Sequence, residues 1–155
     1  MKTFAWIVVV FGLIFSATTL QAGEHPEVPL ILEGIPVVDS QQVLELMEGG
    51  DTLFVDARKR SDYQHGTIPG AINCRVTSGA PELSPSEVEQ TLQDFKSCPD
   101  INQADPSQRI VVFCNGVHCW RSGKGALALE KIGFLNILWY RAGMNDWKRL
   151  GLPME

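Results

Sequence analysis

The sequence predicts an α/β fold in which a parallel sheet is covered by helices on both faces. Short runs of β-branched and aromatic residues recur along the chain, among them Ile110 to Phe113 and Asn136 to Tyr140. Segments with the apolar spacing of helices alternate with these runs, as strands joined by helical crossovers would. The stretch from Ile110 to Ser122 organises the rest. A buried-type strand leads into Cys114, a loop with Asn115 and Gly116 follows, and a helix-period run extends from Gly123 to Ile132.

Taken in order, Met1 to Ala22 reads as a secretory signal that is removed from the fold. Lys2 precedes an uncharged apolar run from Phe4 to Ala17, and Leu20 and Ala22 stand at the positions a signal peptidase reads. The alternative is an uncleaved membrane anchor, although the apolar core is shorter than the ~20 residues a spanning helix needs. No lipobox cysteine follows. The expected location is therefore exported, in the periplasm, with the membrane touched only through this segment if it is retained. Glu24 to Pro36 is a proline-bearing, irregular lead-in.

Pro36 to Val38 is a short strand. Asp39 or Ser40 caps a helix whose apolar residues Val43, Leu44, Leu46 and Met47 share a face, and Gly49 and Gly50 end it. Thr52 to Val55 is a second strand, leading into Asp56-Ala57-Arg58. A polar helical turn at Ser61 to Gln64 and a turn from His65 to Gly70 lead to a third strand, Ala71 to Cys74. In the longer connection that follows, Ser84 to Glu87 has the spacing of a capping box, with Pro85 in the first turn, and the helix should reach about Lys96. Cys98-Pro99 ends it, and a polar loop runs on through Pro106. After the central strand and its helix come a fifth strand, Asn136 to Tyr140, and an amphipathic helix from Met144 to Leu150.

Thirteen Lys and Arg residues against eighteen Asp and Glu give a formal charge of −5. Nucleic acid is an improbable partner, because its affinity comes from clusters of Lys and Arg that neutralise phosphates. All four cysteines, Cys74, Cys98, Cys114 and Cys119, lie beyond the signal, where an oxidising compartment would meet them. Three pairings are open. Cys74 and Cys98 bracket the long connection and are candidates for one bridge, two unrelated thiols being the alternative.

The loop after Cys114 carries the chemistry. Asn115 and Gly116 allow the backbone to curl so that several N–H groups face one point. The following helix adds roughly half a unit of positive charge at its start, and Arg121 adds a full one. A thiolate at Cys114, or an anion beside it, would be stabilised there. The alternative for Cys114 is a buried structural thiol. His118 is either a loop-surface residue or a local proton or anion contact. His65 reads as a turn residue bonded to backbone, Asp56 and Arg58 as a structural pair beside the loop, and Trp120, Trp139 and Trp147 as core or pocket wall. Zinc is disfavoured, since no second close Cys or His pair completes four ligands.

Asp56-Ala57-Arg58, the run Tyr63 to Asn73, the strand ending in Cys114, Arg121-Ser122 and the segment Trp139 to Gly143 before Trp147 resemble, in order and spacing, the rhodanese domain family. The resemblance implies residues 37–155 as the domain, after 1–22 as signal peptide and 23–36 as lead-in. It implies a three-layer α/β/α fold with a five-stranded parallel sheet of order 3-2-4-5-1. It also implies a sulfurtransferase in which Cys114 forms a persulfide and Arg121 closes a substrate loop of Asn115, Gly116, Val117, His118, Cys119 and Trp120. No cofactor and no metal are expected. The implied partners are a small anionic sulfur donor such as thiosulfate and an exported thiol or protein acceptor, with cyanide as an assay acceptor. A typical member has four residues between its cysteine and arginine and the tyrosine-phosphatase-like members five, whereas six stand here. Cys119-Trp120 is further similar to a rhodanese-like subgroup with a Cys-x-x-Cys-Trp loop. The alternative function is a non-enzymatic redox or sulfur-binding module using Cys114 and Cys119.

Overall fold

The computed structural model describes residues 26–155, so the expected signal segment, residues 1–22, lies outside the described residues. In chain order the elements are α1 (Ser40–Gly49), β1 (Thr52–Asp56), α2 (Arg60–Gln64), β2 (Ile72–Asn73), α3 (Pro85–Lys96), α4 (Pro99–Gln103), β3 (Arg109–Phe113), α5 (Trp120–Ile132), β4 (Asn136–Tyr140) and α6 (Gly143–Arg149). Four strands run parallel in the order β2-β1-β3-β4. Val37 adds a single parallel bridge to Trp139 on the free edge of β4. The expected first strand is thus reduced to one bridge, and counting it as a strand the order is 3-2-4-5-1. Pro36 has no N–H to give a longer ladder, though its carbonyl accepts from Trp139 and the Val38 N–H donates back to the Trp139 carbonyl.

Side chains alternate across the pleat, so each central strand feeds two cores. On one face Val55, Ile110, Val112 and Trp139 pack with Val88, Leu92 and Phe95 of α3 and Ala126 and Leu129 of α5. On the other, Phe54, Val111, Phe113 and Tyr140 pack with Val43 of α1 and Met144 and Trp147 of α6. Full burial of each large apolar side chain stabilises by about 1.5–3 kcal/mol before ordering costs are counted. That places β3, with Val111, Val112 and Phe113 all buried, at the centre of the molecule. Among the described residues, no helix is long and apolar enough to cross a membrane.

The helix ends follow local chemistry, with two departures from expectation. Asp39 and Gln42 form a reciprocal capping box on α1, and Gly50 ends it in a left-handed conformation. Ser84 makes no such bond on α3. Its expected partner, Glu87, instead pairs with the buried Lys124, because a bond between two charged groups is stronger than one to a backbone N–H. The polar loop expected after Cys98 contains the short helix α4, since Pro99 at its first position costs nothing where the N–H would be unpaired anyway. Cys74, next to β2, and Cys98, after α3, form a disulfide with their Cα atoms 5.7 Å apart. It ties the long connection to the edge of the sheet.

Candidate active site

Cys114 directly follows β3, and the helix α5 begins at Trp120, three residues earlier than the periodicity indicates. The earlier start makes Cys119 the N-cap, with extended backbone (φ −104°, ψ 102°). Arg121 and Ser122 then fall in the first helical turn.

The loop is shaped by where its carbonyls go. Cys114 O accepts from Met144 N at 2.9 Å, Asn115 O from Asn145 N at 2.8 Å, Gly116 O from Cys119 N at 2.8 Å and Val117 O from Val28 N at 2.8 Å. With four successive carbonyls held away from the centre, N–H groups are left to face the sulfurs. Those of Asn115 and Arg121 act on the Cys119 sulfur and that of Ser122 on Cys114, each favouring the thiolate. The close seat of α6 needs Gly143, whose φ is +58°. A Cβ there would fall onto the Cys114 carbonyl oxygen and within 3.0 Å of Asn115 C and Gly116 N.

A cavity of about 530 Å³ opens over this loop, walled by Asn115, His118, Cys119, Trp120 and Arg121 on one side and by the segment from Ser78 to Pro81 on the other. Two cations on successive turns of α5 fix the second wall. Arg121 Nε donates to Val76 O at 3.0 Å and its Nη2 to Ser78 Oγ. Lys124, fully buried, donates to Ser78 O at 3.0 Å, to Ala80 O at 2.7 Å and to Glu87. Arg121 was expected to face an anion in the loop. Its guanidinium is instead engaged with the wall, and its charge acts on the loop from the side.

The two cysteines occupy different environments. Cys119 is part of the cavity wall, whereas Cys114 is 1% exposed and packs in the core. Cys114 Sγ lies 2.9 Å from Cys119 O and 3.1 Å from Ser122 Oγ. Trp139 Nε1, which can only donate, gives its hydrogen to Ser122 Oγ at 3.0 Å. The Ser122 hydrogen then turns to the Cys114 sulfur, and the Cys114 hydrogen to the Cys119 backbone carbonyl. Burial, and after it the neighbouring Cys119 side chain, push the Cys114 thiol well above the usual range. Cys119 is pulled down to about 6, first by the neighbouring Cys114 side chain, then by the N–H groups of Asn115 and Arg121 and by the Arg121 charge.

Around the site, Asp56 and Arg58 are buried and paired as expected, and Arg58 Nη2 also holds Gly66 O at 2.8 Å. Thr67 Oγ1 donates to the same Asp56 carboxylate at 2.8 Å. His65 Nδ1 meets Ser61 O at 2.6 Å, a turn contact. Trp139 and Trp147 are core, while Trp120 walls the cavity and donates to Pro26 O at 3.1 Å. The sequence reading gave no role to Ser122 and Gly143, which stand among the motif residues, or to Lys124, which does not. For Lys124 a signal existed in its spacing three residues after Arg121, which puts both cations on one helix face. For Gly143 it lay in a glycine opening the helix that seats against the loop.

A model of the family described as "Rhodanese-like domain" matches residues 39–150. The HTH-type transcriptional regulator Rv0324 of Mycobacterium tuberculosis is 26% identical over 114 residues, covering 74% of this chain and 42% of the regulator. Protein YibN of Escherichia coli K12 is 25% identical over 150 residues, covering 97% of this chain and 86% of YibN. A crystal structure of a thiosulfate sulfurtransferase from Pseudomonas aeruginosa superposes with a TM-score of 0.55 at 26% identity, over 78% of this chain and 20% of that one. The chain therefore spans less than half of the regulator and a fifth of the sulfurtransferase.

Proposed function

Since the chain belongs to the rhodanese-like domain family, we propose that it is an exported sulfurtransferase, accepting sulfane sulfur from a small anion such as thiosulfate as a persulfide on its Cys114–Cys119 loop and passing it to a thiol. The observation that carries this reading is a thiolate-favouring cysteine in the wall of an open cavity, faced by backbone N–H groups and the start of a 13-residue helix. Such a group is both a competent nucleophile and the floor of an anion site. Attack on the outer sulfur of thiosulfate expels sulfite, and the fixed N–H dipoles and nearby Arg121 offset the charge on the departing group without reorganising. The sulfurtransferase among the structural relatives supports the same class of reaction.

The contact between the two thiols also fits a second reading, a redox module in which Cys114 and Cys119 cycle between dithiol and disulfide. The two separate in one experiment. Reduced protein mixed with thiosulfate and excess cyanide should release many equivalents of sulfite and thiocyanate per chain. A redox module would release neither.

A further inference from the structure

Cys74 and Cys98 are joined in a disulfide, Asp56 and Arg58 hold each other, and Lys124 is committed to the cavity wall. Two thiols remain, and they differ in access: Cys119 walls the cavity, while Cys114, 1% exposed, lies beneath the loop. Resting on the sulfurtransferase reading above, we propose that Cys119 is a second sulfur carrier, which takes the sulfane sulfur from a Cys114 persulfide and presents it in the cavity to an organic thiol of peptide size. Cys114 receives the sulfur and Cys119 delivers it.

Three observations carry the relay. Cys119 N donates to Gly116 O at 2.8 Å, a turn that folds Cys119 back over Cys114, whose Sγ lies 2.9 Å from the Cys119 carbonyl oxygen. The two side chains are thereby neighbours. Beneath them Ser122 Oγ, 3.1 Å from the Cys114 sulfur and held by Trp139, is placed to steady Cys114 when it departs as a thiolate. Above them the cavity measures about 530 Å³, with Ala80, Pro81 and Trp120 as apolar wall and His118, Asn145 and Arg121 as polar wall. A cavity of that size suits an organic ligand rather than a lone oxoanion. A compact donor ion has only to bring its outer sulfur past the Cys119 side chain. A thiol carried on a peptide-sized body must seat that body in the cavity, where its sulfur meets Cys119 first.

The sulfur moves by successive displacements. The Cys114 thiolate attacks the outer sulfur of thiosulfate, the donor S–S bond breaks, sulfite leaves with the bonding pair, and the new persulfide takes one proton from water. Cys119, as a thiolate at the N-terminal end of α5, then attacks the outer sulfur of that persulfide. A bond from Cys119 to this sulfur forms, its bond to Cys114 breaks, and Cys114 keeps the pair as a thiolate facing the Ser122 hydroxyl. Last, an acceptor thiolate attacks the same sulfur, the proton leaves with it on the acceptor persulfide, and both cysteines are thiolates again. Each step exchanges one S–S bond for another, so no outside oxidant or reductant is needed.

The test follows the sulfur in reduced protein, with thiosulfate as donor and either glutathione or cyanide as acceptor. After one equivalent of thiosulfate and no acceptor, alkylation and peptide mapping of wild type should find extra sulfur on both Cys114 and Cys119. In Cys119→Ser and Cys119→Ala it should sit on Cys114 alone. These variants should lose at least about tenfold more turnover with glutathione than with cyanide, which is small enough to reach Cys114 directly. Cys114→Ser should release no sulfite. Extra sulfur confined to Cys114 in wild type, or equal losses with the two acceptors, overturns the relay and leaves a one-cysteine sulfurtransferase standing. Sulfite release retained by Cys114→Ser overturns the order, since sulfur would then enter at Cys119. Absence of sulfite from wild type with cyanide removes the sulfurtransferase reading itself, and the relay with it.

Discussion

Trp139 Nε1 donates to Ser122 Oγ at 3.0 Å, joining the buried edge of β4 to the first turn of α5 directly beneath the reactive loop. Through Ser122 the link continues to Cys114 at 3.1 Å. A tryptophan chosen for core packing thereby also sets which hydrogen the serine offers and which the cysteine keeps.

Replacing Ser122 by Ala removes the acceptor for a buried indole N–H and the donor to Cys114. Leaving one buried polar group unpaired costs about 1–3 kcal/mol. Denaturant unfolding of Ser122→Ala under reducing conditions should show a loss in that range. Ser122→Thr keeps the hydroxyl and should recover most of it.

Gly143→Ala addresses the packing of α6 on the loop. Its φ of +58° and the overlap of a Cβ with the Cys114 carbonyl both resist a side chain. Strain of this kind costs about 1–3 kcal/mol. Because relief requires Cys114 to Gly116 to move, sulfite release should fall by more than the loss of folded protein explains. Activity that tracked the folded fraction would mean that the loop tolerates the shift.

The sheet was legible in the sequence because its strands are short, apolar and bounded by turn residues, and β4 spans Asn136 to Tyr140 as read. The start of α5 was not. Its N-cap is a cysteine making no side-chain cap bond, so the usual Ser, Thr, Asp or Asn signal is missing. That misplaced boundary hid the position of Cys119. The burial of Lys124 was equally out of reach, since its partners Ser78, Ala80 and Glu87 lie 46, 44 and 37 residues away along the chain. The pairing of Cys74 with Cys98 was one of three open possibilities until the fold brought their Cα atoms to 5.7 Å. Local pattern specifies elements; which side chains meet across them depends on topology.

The thiol pair predicts a pH profile. Cys119, at about 6 in the folded chain, should be alkylated half-maximally near that pH, ahead of Cys114. Cys114→Ala should raise the midpoint more than Arg121→Gln does, because the neighbouring Cys114 side chain is the larger cause. Linkage gives the sign for stability. Between about pH 6 and 8.5, the ordinary thiol value, the folded state has released a proton that the unfolded state still holds, so stability rises with pH. The raised Cys114 thiol acts oppositely above 8.5. Reduced protein should therefore be most stable near pH 8.5, and Cys119→Ser should lose the rise.

The Cys74–Cys98 bridge closes a loop whose cysteines are 24 apart in sequence, and a cross-link of that size stabilises by about 3 kcal/mol. Cys74→Ala/Cys98→Ala should shift the denaturant midpoint accordingly while sulfite release persists at temperatures where the variant stays folded. A midpoint unmoved by removing both cysteines would assign the connection's order to Lys124 and α3 alone.

The lead-in proves to be a strap over the enlarged loop. Val28 N donates to Val117 O at 2.8 Å and Pro26 O accepts from Trp120. Arg141 holds the strap in turn, donating to Pro29 O and Val28 O, both at 2.9 Å, and to Glu27 at 3.0 Å. The two carbonyl bonds matter more than the ion pair, since Glu27 is largely exposed and such pairs contribute about 0–1 kcal/mol. Arg141→Ala should therefore speed hydrogen exchange at the Val28 amide and lower sulfite release several-fold, while Glu27→Gln should do neither. Cleavage after Ala22 would leave the strap whole, but a mature chain beginning at Leu30 would lack it and should reproduce the Arg141→Ala phenotype. If that shortened chain retained full activity, the six-residue loop would be holding its shape from α5 and α6 alone.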